Sequence, residues 1–367
     1  MSLGTIHLVA TPRGSPWTVL LWASLMSCVS CGSLFAAGGP TFDCVFASVA
    51  EGRRILSTCD DFIEHLTPLD RSLRMKTEAA VSQEEYLRFL EAQVLAWETD
   101  ELARIRSLCG SIREKLAGLE AHLPRSLTFV KTTGREEGNA FYVRGDSTLV
   151  MPEGKLWGPW WRSEEIMIHE LFHVICRGNP TLKEKLYAIL GFEPIPEIPW
   201  PDSLESLRIT GPGNWRIRWA ATSDFDGSPI RIAPLLLSST PKYDSNRGGE
   251  FFQFVRVRYL VLEPDGYRWQ PKTDSGTPVL LDLEQLPSLR EKLGRNSGYL
   301  ISPEEILADS FVLMVNGAKK LPSPRVVEQM RQLLMPEARH GAAGDQTRLK
   351  RRLGPVAGEP RHRIDLR

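Results

Sequence analysis

The chain has no surplus of charge. Its 45 Lys and Arg balance 45 Asp and Glu, for a formal net charge of zero. Without a basic field over the surface, nothing global argues for a nucleic-acid partner, and recognition must come from a local site. Histidine is scarce, at seven in 367 residues. Cysteine is scarcer, at six, and outside the N-terminal segment no CxxC pair suggests a cysteine-based metal site. No internal repeat is visible, so a repeat architecture is not indicated.

Charge is also missing from one long stretch. Residues 16–39, PWTVLLWASLMSCVSCGSLFAAGG, carry none, and Arg13 is the one Lys or Arg before them. A short apolar core followed by small residues is the layout of a secretory signal, so 1–37 reads as a signal peptide cleaved after Ala37 or Gly38. An N-terminal anchor is the alternative, since the run is close to the ~20 residues a span needs. LMSC at 25–28 weakly resembles a bacterial lipoprotein signal with Cys28 lipidated. A membrane is therefore a partner only if this segment is retained or lipidated, and the expected location is periplasmic or secreted. Cys44, Cys59, Cys109 and Cys176 remain. They allow two disulfides in three pairings, Cys44–Cys59 being the most local pair, or four buried thiols.

The rest has an ordinary globular composition, 42% apolar and 25% charged, enough for one large domain or two smaller ones. Residues 38–123 read as a helical subdomain, with apolar spacing of three and four running from Ser82 to Leu123. Residues 124–154 hold short β-type runs, SLTFVKT, AFYVR and STLVM, and predict a small antiparallel sheet. A helix over 163–177 follows, with Ser163 as N-cap, Glu164 and Glu165 in the first turn and Gly178 as left-handed cap. A second helix covers 181–192. Residues 193–265 form a proline-punctuated, β-rich insertion, and further helices cover 302–317 and 323–334. The tail 337–367, with eight Lys/Arg against four Asp/Glu, reads as disordered.

IMIHELFHVI, at 166–175, sets two histidines and a glutamate in an apolar run. His169 and His173 are one helical turn apart and share a face, while Glu170 projects about 100° away. This is HExxH. Two neutral imidazoles bind Zn²⁺, and the following Glu acts on a bound water as general base. Buried His and Glu need partners, which favours a metal site over incidental core histidines. A catalytic zinc needs a third protein ligand. The extended HExxHxxGxxH pattern is absent: Cys176 replaces its glycine and Asn179 its histidine. Cys176 lies too far along the helix axis to ligate and reads as a core or disulfide cysteine.

The third ligand is therefore expected to be a carboxylate. In SPEEILAD, 302–309, Glu305 and Asp309 share a helix face. Glu305 is the first candidate and Glu304 the fallback, with Asp309 orienting a zinc histidine through its other ring nitrogen. The bland alternative is a capping box, with Ser302 at N-cap, Pro303 at N1 and Glu305 at N3.

HExxH followed by a helix bearing ExxxD resembles the gluzincin metallopeptidases, the class that includes thermolysin. NAFY, 139–142, resembles the edge strand that pairs with substrate in that family, which implies substrate-binding roles for Asn139 and Ala140. The resemblance implies an α+β, zincin-like fold with the sheet packed on the HExxH helix and a second zinc-ligand helix. It also implies hydrolysis of peptide or protein substrates. The chain departs from the family in two ways. The 132-residue separation between His173 and Glu305 is long, leaving Asp224 or Asp226 as alternative ligands. No histidine outside the tail stands where that family stabilises the oxyanion. Tyr299 is the first substitute and Tyr243 the second. WGPWW, 157–161, fits either an apolar pocket or an aromatic cluster. Two rival readings remain open: a non-catalytic exported zinc-binding module, and a zinc hydrolase of a non-peptide amide.

Overall fold

The computed structural model describes residues 42–155, 157–211 and 215–335. The expected signal peptide, Cys28 and the basic tail lie outside the described residues.

The first elements among the described residues are β1 (Asp43–Phe46) and five helices: α1 (Val49–Leu56), α2 (Asp61–His65), α3 (Pro68–Met75), α4 (Gln83–Gln93) and α5 (Thr99–Lys115). The helical pattern expected over 82–123 is broken at 94–98. There Leu95 N–H donates to the Lys131 carbonyl and Thr133 N–H to the Gln93 carbonyl, so the backbone leaves the helix to pair with a strand.

That strand is β2 (Ser126–Thr132), followed by β3 (Tyr142–Arg144) and β4 (Thr148–Pro152). They form a four-stranded sheet in the order β1-β2-β4-β3. The expectation of an antiparallel sheet is corrected. β1 and β4 both run parallel to β2, and only β3 is antiparallel to its neighbour β4. The cause lies in the connections. α1–α5 form the long crossover that a parallel β1–β2 pair requires. Residues 133–141 are too irregular for a hairpin, so β3 reaches the outer edge and β4 takes the place beside β2.

Strand alternation divides the sheet between two cores. Leu127, Phe129, Leu149 and Met151 face the main core with α5, while Val130 and Val150 face Leu56, Ile63, Tyr86 and Leu90 of the N-terminal helices. Residues 42–123 thus supply an edge strand, the α1–α4 layer on one face of this sheet and α5 on the other.

α6 (Trp160–Gly178) and α7 (Pro180–Ile189) come next. Two of the expected boundaries of α6 are corrected. The helix starts at Trp160, with Pro159 at the N-cap. Ser163 lies inside it, bonded back to the Pro159 carbonyl, and Glu164 pairs with Lys115 of α5 at 2.8 Å. At the far end Gly178 is helical and is not a left-handed cap. Asn179 accepts the Leu182 N–H at 3.0 Å, so it ends α6 and caps α7, with Pro180 at N1.

The insertion is an antiparallel six-stranded sheet. It comprises β5 (Phe192–Ile198), then, after the single-turn α8 (Asp202–Glu205), β6 (Ile217–Phe225), β7 (Ser228–Ser238), β8 (Val255–Asp265) and β9 (Arg268–Pro271). After the small hairpin of β10 (Thr273–Asp274) and β11 (Thr277–Pro278), β12 (Leu280–Leu281) adds to the far side of β8. One face of this sheet places Ala221, Ile232, Tyr259 and Val261 in the main core. α9 (Pro287–Leu293), α10 (Pro303–Val315) and α11 (Pro324–Leu334) are the last elements among the described residues, and α10 lies against α6. The fold is α+β.

Candidate metal centre

α6 and α10 bring the HExxH stripe against the acidic start of α10. On α6, Met167, Ile168, Leu171, Phe172, Val174 and Ile175 are buried in the main core. That fixes the helix rotation and leaves Glu165, Ile166, His169, Glu170, His173 and Arg177 along a cleft of about 980 Å³. On α10, the Ser302 hydroxyl accepts the Glu305 N–H at 3.2 Å, so the N-cap forms. The Glu305 side chain does not complete a capping box. It turns to the histidines.

His169 Nε2 lies 2.9 Å from Glu305 Oε2, and His173 Nε2 lies 3.5 Å from Glu305 Oε1. One ligand atom from each of the three residues falls within 4.8 Å of the others. Ligands about 2.0–2.1 Å from a tetrahedral ion stand ~3.3 Å apart, between the two measured separations. Two imidazole nitrogens and one carboxylate are also the donor types that zinc takes, with a fourth position left over.

Both imidazoles are held from behind. His169 Nδ1–H donates to Asp309 Oδ1 at 3.0 Å, and His173 Nδ1–H donates to Glu304 Oε1 at 2.8 Å. Each contact commits the proton to Nδ1 and turns Nε2 toward Glu305. Asp309 stands where sequence reasoning expected it. Glu304, considered there as a fallback ligand, instead orients His173. It also accepts from Tyr187 Oη at 2.8 Å and from Lys183 Nζ at 2.6 Å. Lys183 and Tyr187 were missed. The available signal was Asn179–Pro180, a cap and N1 pair that starts a helix immediately after the motif and folds it back beside His173.

Electrostatics follow from this crowding. Burial opposes charge on His173, but Glu305 and Glu304 outweigh it and push its pKa up to about 9. His169 is likewise raised, burial being overcome by Asp309 and Glu305. Burial also opposes charge on Glu305, and the two histidines hold it down to about 2. Glu170, 7% exposed, moves the other way. Burial raises its pKa, with His173 and His169 only partly compensating. A carboxylate whose proton affinity is raised, in a cleft beside two histidines and a second carboxylate, suits proton transfer.

Tyr299 lines the same cleft and is 38% exposed. Burial and then Glu305 raise its pKa, so the hydroxyl keeps its proton and remains a donor. Its position is set by Ser297, whose Oγ accepts the Tyr299 N–H at 2.9 Å and donates to Asp309 Oδ2. Phe252 meets the Tyr299 ring edge-on at 6.5 Å, making an apolar wall in the same cleft as His169, His173 and Glu305.

Asn139 and Ala140 also line the cleft, but the strand assignment is corrected. β3 begins at Tyr142, and Asn139 sits in a left-handed turn at φ 62°. Gly134 and Gly138 precede it at φ 79° and 59°. A side chain at Gly134 would meet Asn139 Oδ1 at 2.8 Å, so the turn closes only with glycine there. The Ala140 N–H is already bonded to the Glu137 carbonyl. The edge facing the cleft is Phe141 to Arg144.

Other candidates lie elsewhere. Asp224 and Asp226 sit at the β6–β7 turn, where the Asp224 N–H meets Ser288 and Asp226 adopts φ 49°, away from the cleft. Tyr243 is buried against Phe254 in a separate core. Cys176 is buried in the main core as a free thiol. Trp157, Trp160 and Trp161 are neither core nor cleft residues: all three are exposed, with Arg104 over the rings of Trp157 and Trp160. No pairing of Cys44 with Cys59 forms, since all four described cysteines are free. Comparison of the chain with protein-family models, with curated proteins and with solved structures returns no match.

Proposed function

We propose that the protein is a zinc-dependent peptidase of zincin-like, gluzincin character. His169, His173 and Glu305 would hold Zn²⁺ in this reading. The observation that carries it is the convergence of those three donors, each imidazole backed by its own carboxylate, with Glu170 beside them in an open cleft.

Zinc, when bound, lowers the pKa of a coordinated water toward ~7 and polarises the scissile carbonyl. The chain's own groups do the rest. Glu170 accepts the proton of the attacking water and delivers it to the leaving nitrogen. Its raised proton affinity suits the second step as well as the first. Tyr299 donates its hydroxyl hydrogen to the oxygen that gains charge. Asp309 and Glu304 keep both histidines in one tautomer. An extended peptide would lie along the outer edge of β3 through main-chain bonds. Phe252 and Tyr299 would favour an apolar side chain next to the scissile bond. We propose export as well, on the strength of the uncharged run at 16–39. No helix among the described residues is long and apolar enough to cross a membrane.

The test is Glu170→Gln. It should retain zinc as wild type does while losing cleavage of a fluorogenic peptide library by at least ~100-fold, the lower range for general-base removal. Wild type that binds zinc but cleaves nothing would favour the binding-module reading. Wild type without zinc would remove the site.

A further inference from the structure

Two thiols far apart in sequence meet in the fold. Cys44 lies in β1 and Cys109 in α5, 65 residues later. Cys109 is fully buried in the main core, and Cys44 is half-buried beside it. α5 packs against β1, and Cys44 packs against the same core cluster that holds Cys109. Arg113, one turn beyond Cys109, fixes the approach: its Nη2 donates to the Phe42 carbonyl and lies 3.5 Å from Cys44 Sγ. Cys59 has a different neighbour, accepting from Gln83 Nε2 at 3.2 Å, and Cys176 is enclosed near Glu304.

We propose that Cys44 and Cys109 are a disulfide-forming pair that ties β1 to α5 when the protein meets a disulfide oxidant. The pair has an attacking and a resolving member. The Cys109 thiol donates to the Cys44 sulfur, and Arg113 and Arg106 add positive potential. Together they outweigh burial and Asp43 and lower the Cys44 pKa. Cys44 is also the more accessible of the two, so it reacts first.

The Cys44 thiolate attacks one sulfur of an external disulfide, such as oxidised glutathione. The old S–S electrons leave with the other sulfur as a thiolate, which takes up a proton. Cys109 then loses its proton and attacks the Cys44 sulfur of the mixed disulfide, expelling the second external thiol. Two protein thiols are oxidised, and one external disulfide is reduced to two thiols. The closed loop spans α1–α4, the layer that covers one face of the first sheet and supplies Phe62 and Arg74 to the cleft. None of these steps involves zinc.

The experiment treats the full-length protein with oxidised glutathione, alkylates remaining thiols, and maps peptides without reduction. A Cys44–Cys109 linked peptide is expected. The oxidised protein should melt about 5 °C above the reduced one, from the loop length and the unfolding entropy of a chain this size. Cys44→Ser should show neither the link nor the shift. A Cys44–Cys59 link, or Cys44 and Cys109 both alkylated after oxidation, would overturn the proposal.

Discussion

Replacing Glu304 by glutamine probes the least expected part of the site. Glu304 is 2% exposed and accepts from three donors: Lys183 Nζ at 2.6 Å, His173 Nδ1 at 2.8 Å and Tyr187 Oη at 2.8 Å. Burial works against its charge, yet Lys183 and His173 outweigh burial and hold the carboxyl well below the usual range. Glutamine preserves the volume but offers one acceptor oxygen and places an NH₂ among donors. At least one buried donor is orphaned, at about 1–3 kcal/mol. The Lys183 charge also loses its partner. Breaking a fully buried pair costs ~3–5 kcal/mol, but Lys183 is partly exposed, so the lower end applies. Because the two losses share one site, Glu304→Gln should destabilise the metal-free protein by roughly 3 kcal/mol. His173 also loses the contact that sets its tautomer, so zinc affinity should fall about 10–100-fold. Competition against a chromophoric chelator measures the second effect and urea unfolding in a chelator the first. Lys183→Met leaves the His173 contact in place, so its zinc affinity should stay much closer to wild type. Zinc affinity of Glu304→Gln within twofold of wild type would refute the orienting role.

The metal-free protein should also show a pH-dependent stability. His173, raised to about 9, contributes stability that is complete below its unfolded pKa of ~6.5 and is lost as pH rises through about 9. Glu305, lowered to about 2, contributes above its unfolded pKa of ~4.3 and loses that contribution as pH falls through about 2. The cluster therefore favours folding most between pH ~4.3 and ~6.5, and unfolding free energy in a chelator should fall by roughly 3 kcal/mol from pH 6 to above 9; a flat profile would contradict the cluster. Tyr299→Phe should lower kcat about 100–1,000-fold with little change in KM, since its hydroxyl is assigned to the transition state; a KM change alone would make it a binding residue. Phe252→Ala should raise KM several-fold for peptides with a bulky apolar residue at the scissile bond and leave small-residue peptides unaffected, removing roughly 1–2 kcal/mol of apolar contact; equal effects on both would remove the wall from specificity.

The sequence carried the centre more fully than the scaffold around it. His169, Glu170 and His173 are legible because two imidazoles and a carboxylate are costly to bury in an apolar helix without partners. Glu305 and Asp309 are legible because their spacing matches that stripe. Glu304 was visible as an acid, but its role depended on α7 folding back, a tertiary fact. The sheet direction was lost for a similar reason. Strand residues alternate alike in parallel and antiparallel pairs, and only the connections, α1–α5 before β2 and the path of 133–141 after it, decide between them. Asn139 looked like a strand residue because NAFY reads as one run. The left-handed turn prepared by Gly134 and Gly138 starts the strand later. Cys44 and Cys109 meet through the parallel β1–β2 pairing, which no local spacing announces.

The proposed function requires one zinc ion between α6 and α10. Diffraction from zinc-loaded crystals on both sides of the zinc absorption edge measures this directly. An anomalous peak about 2.0–2.2 Å from His169 Nε2, His173 Nε2 and a Glu305 oxygen is the expected result. A peak held by other residues, or no peak with the three side chains still hydrogen-bonded to one another, would contradict it.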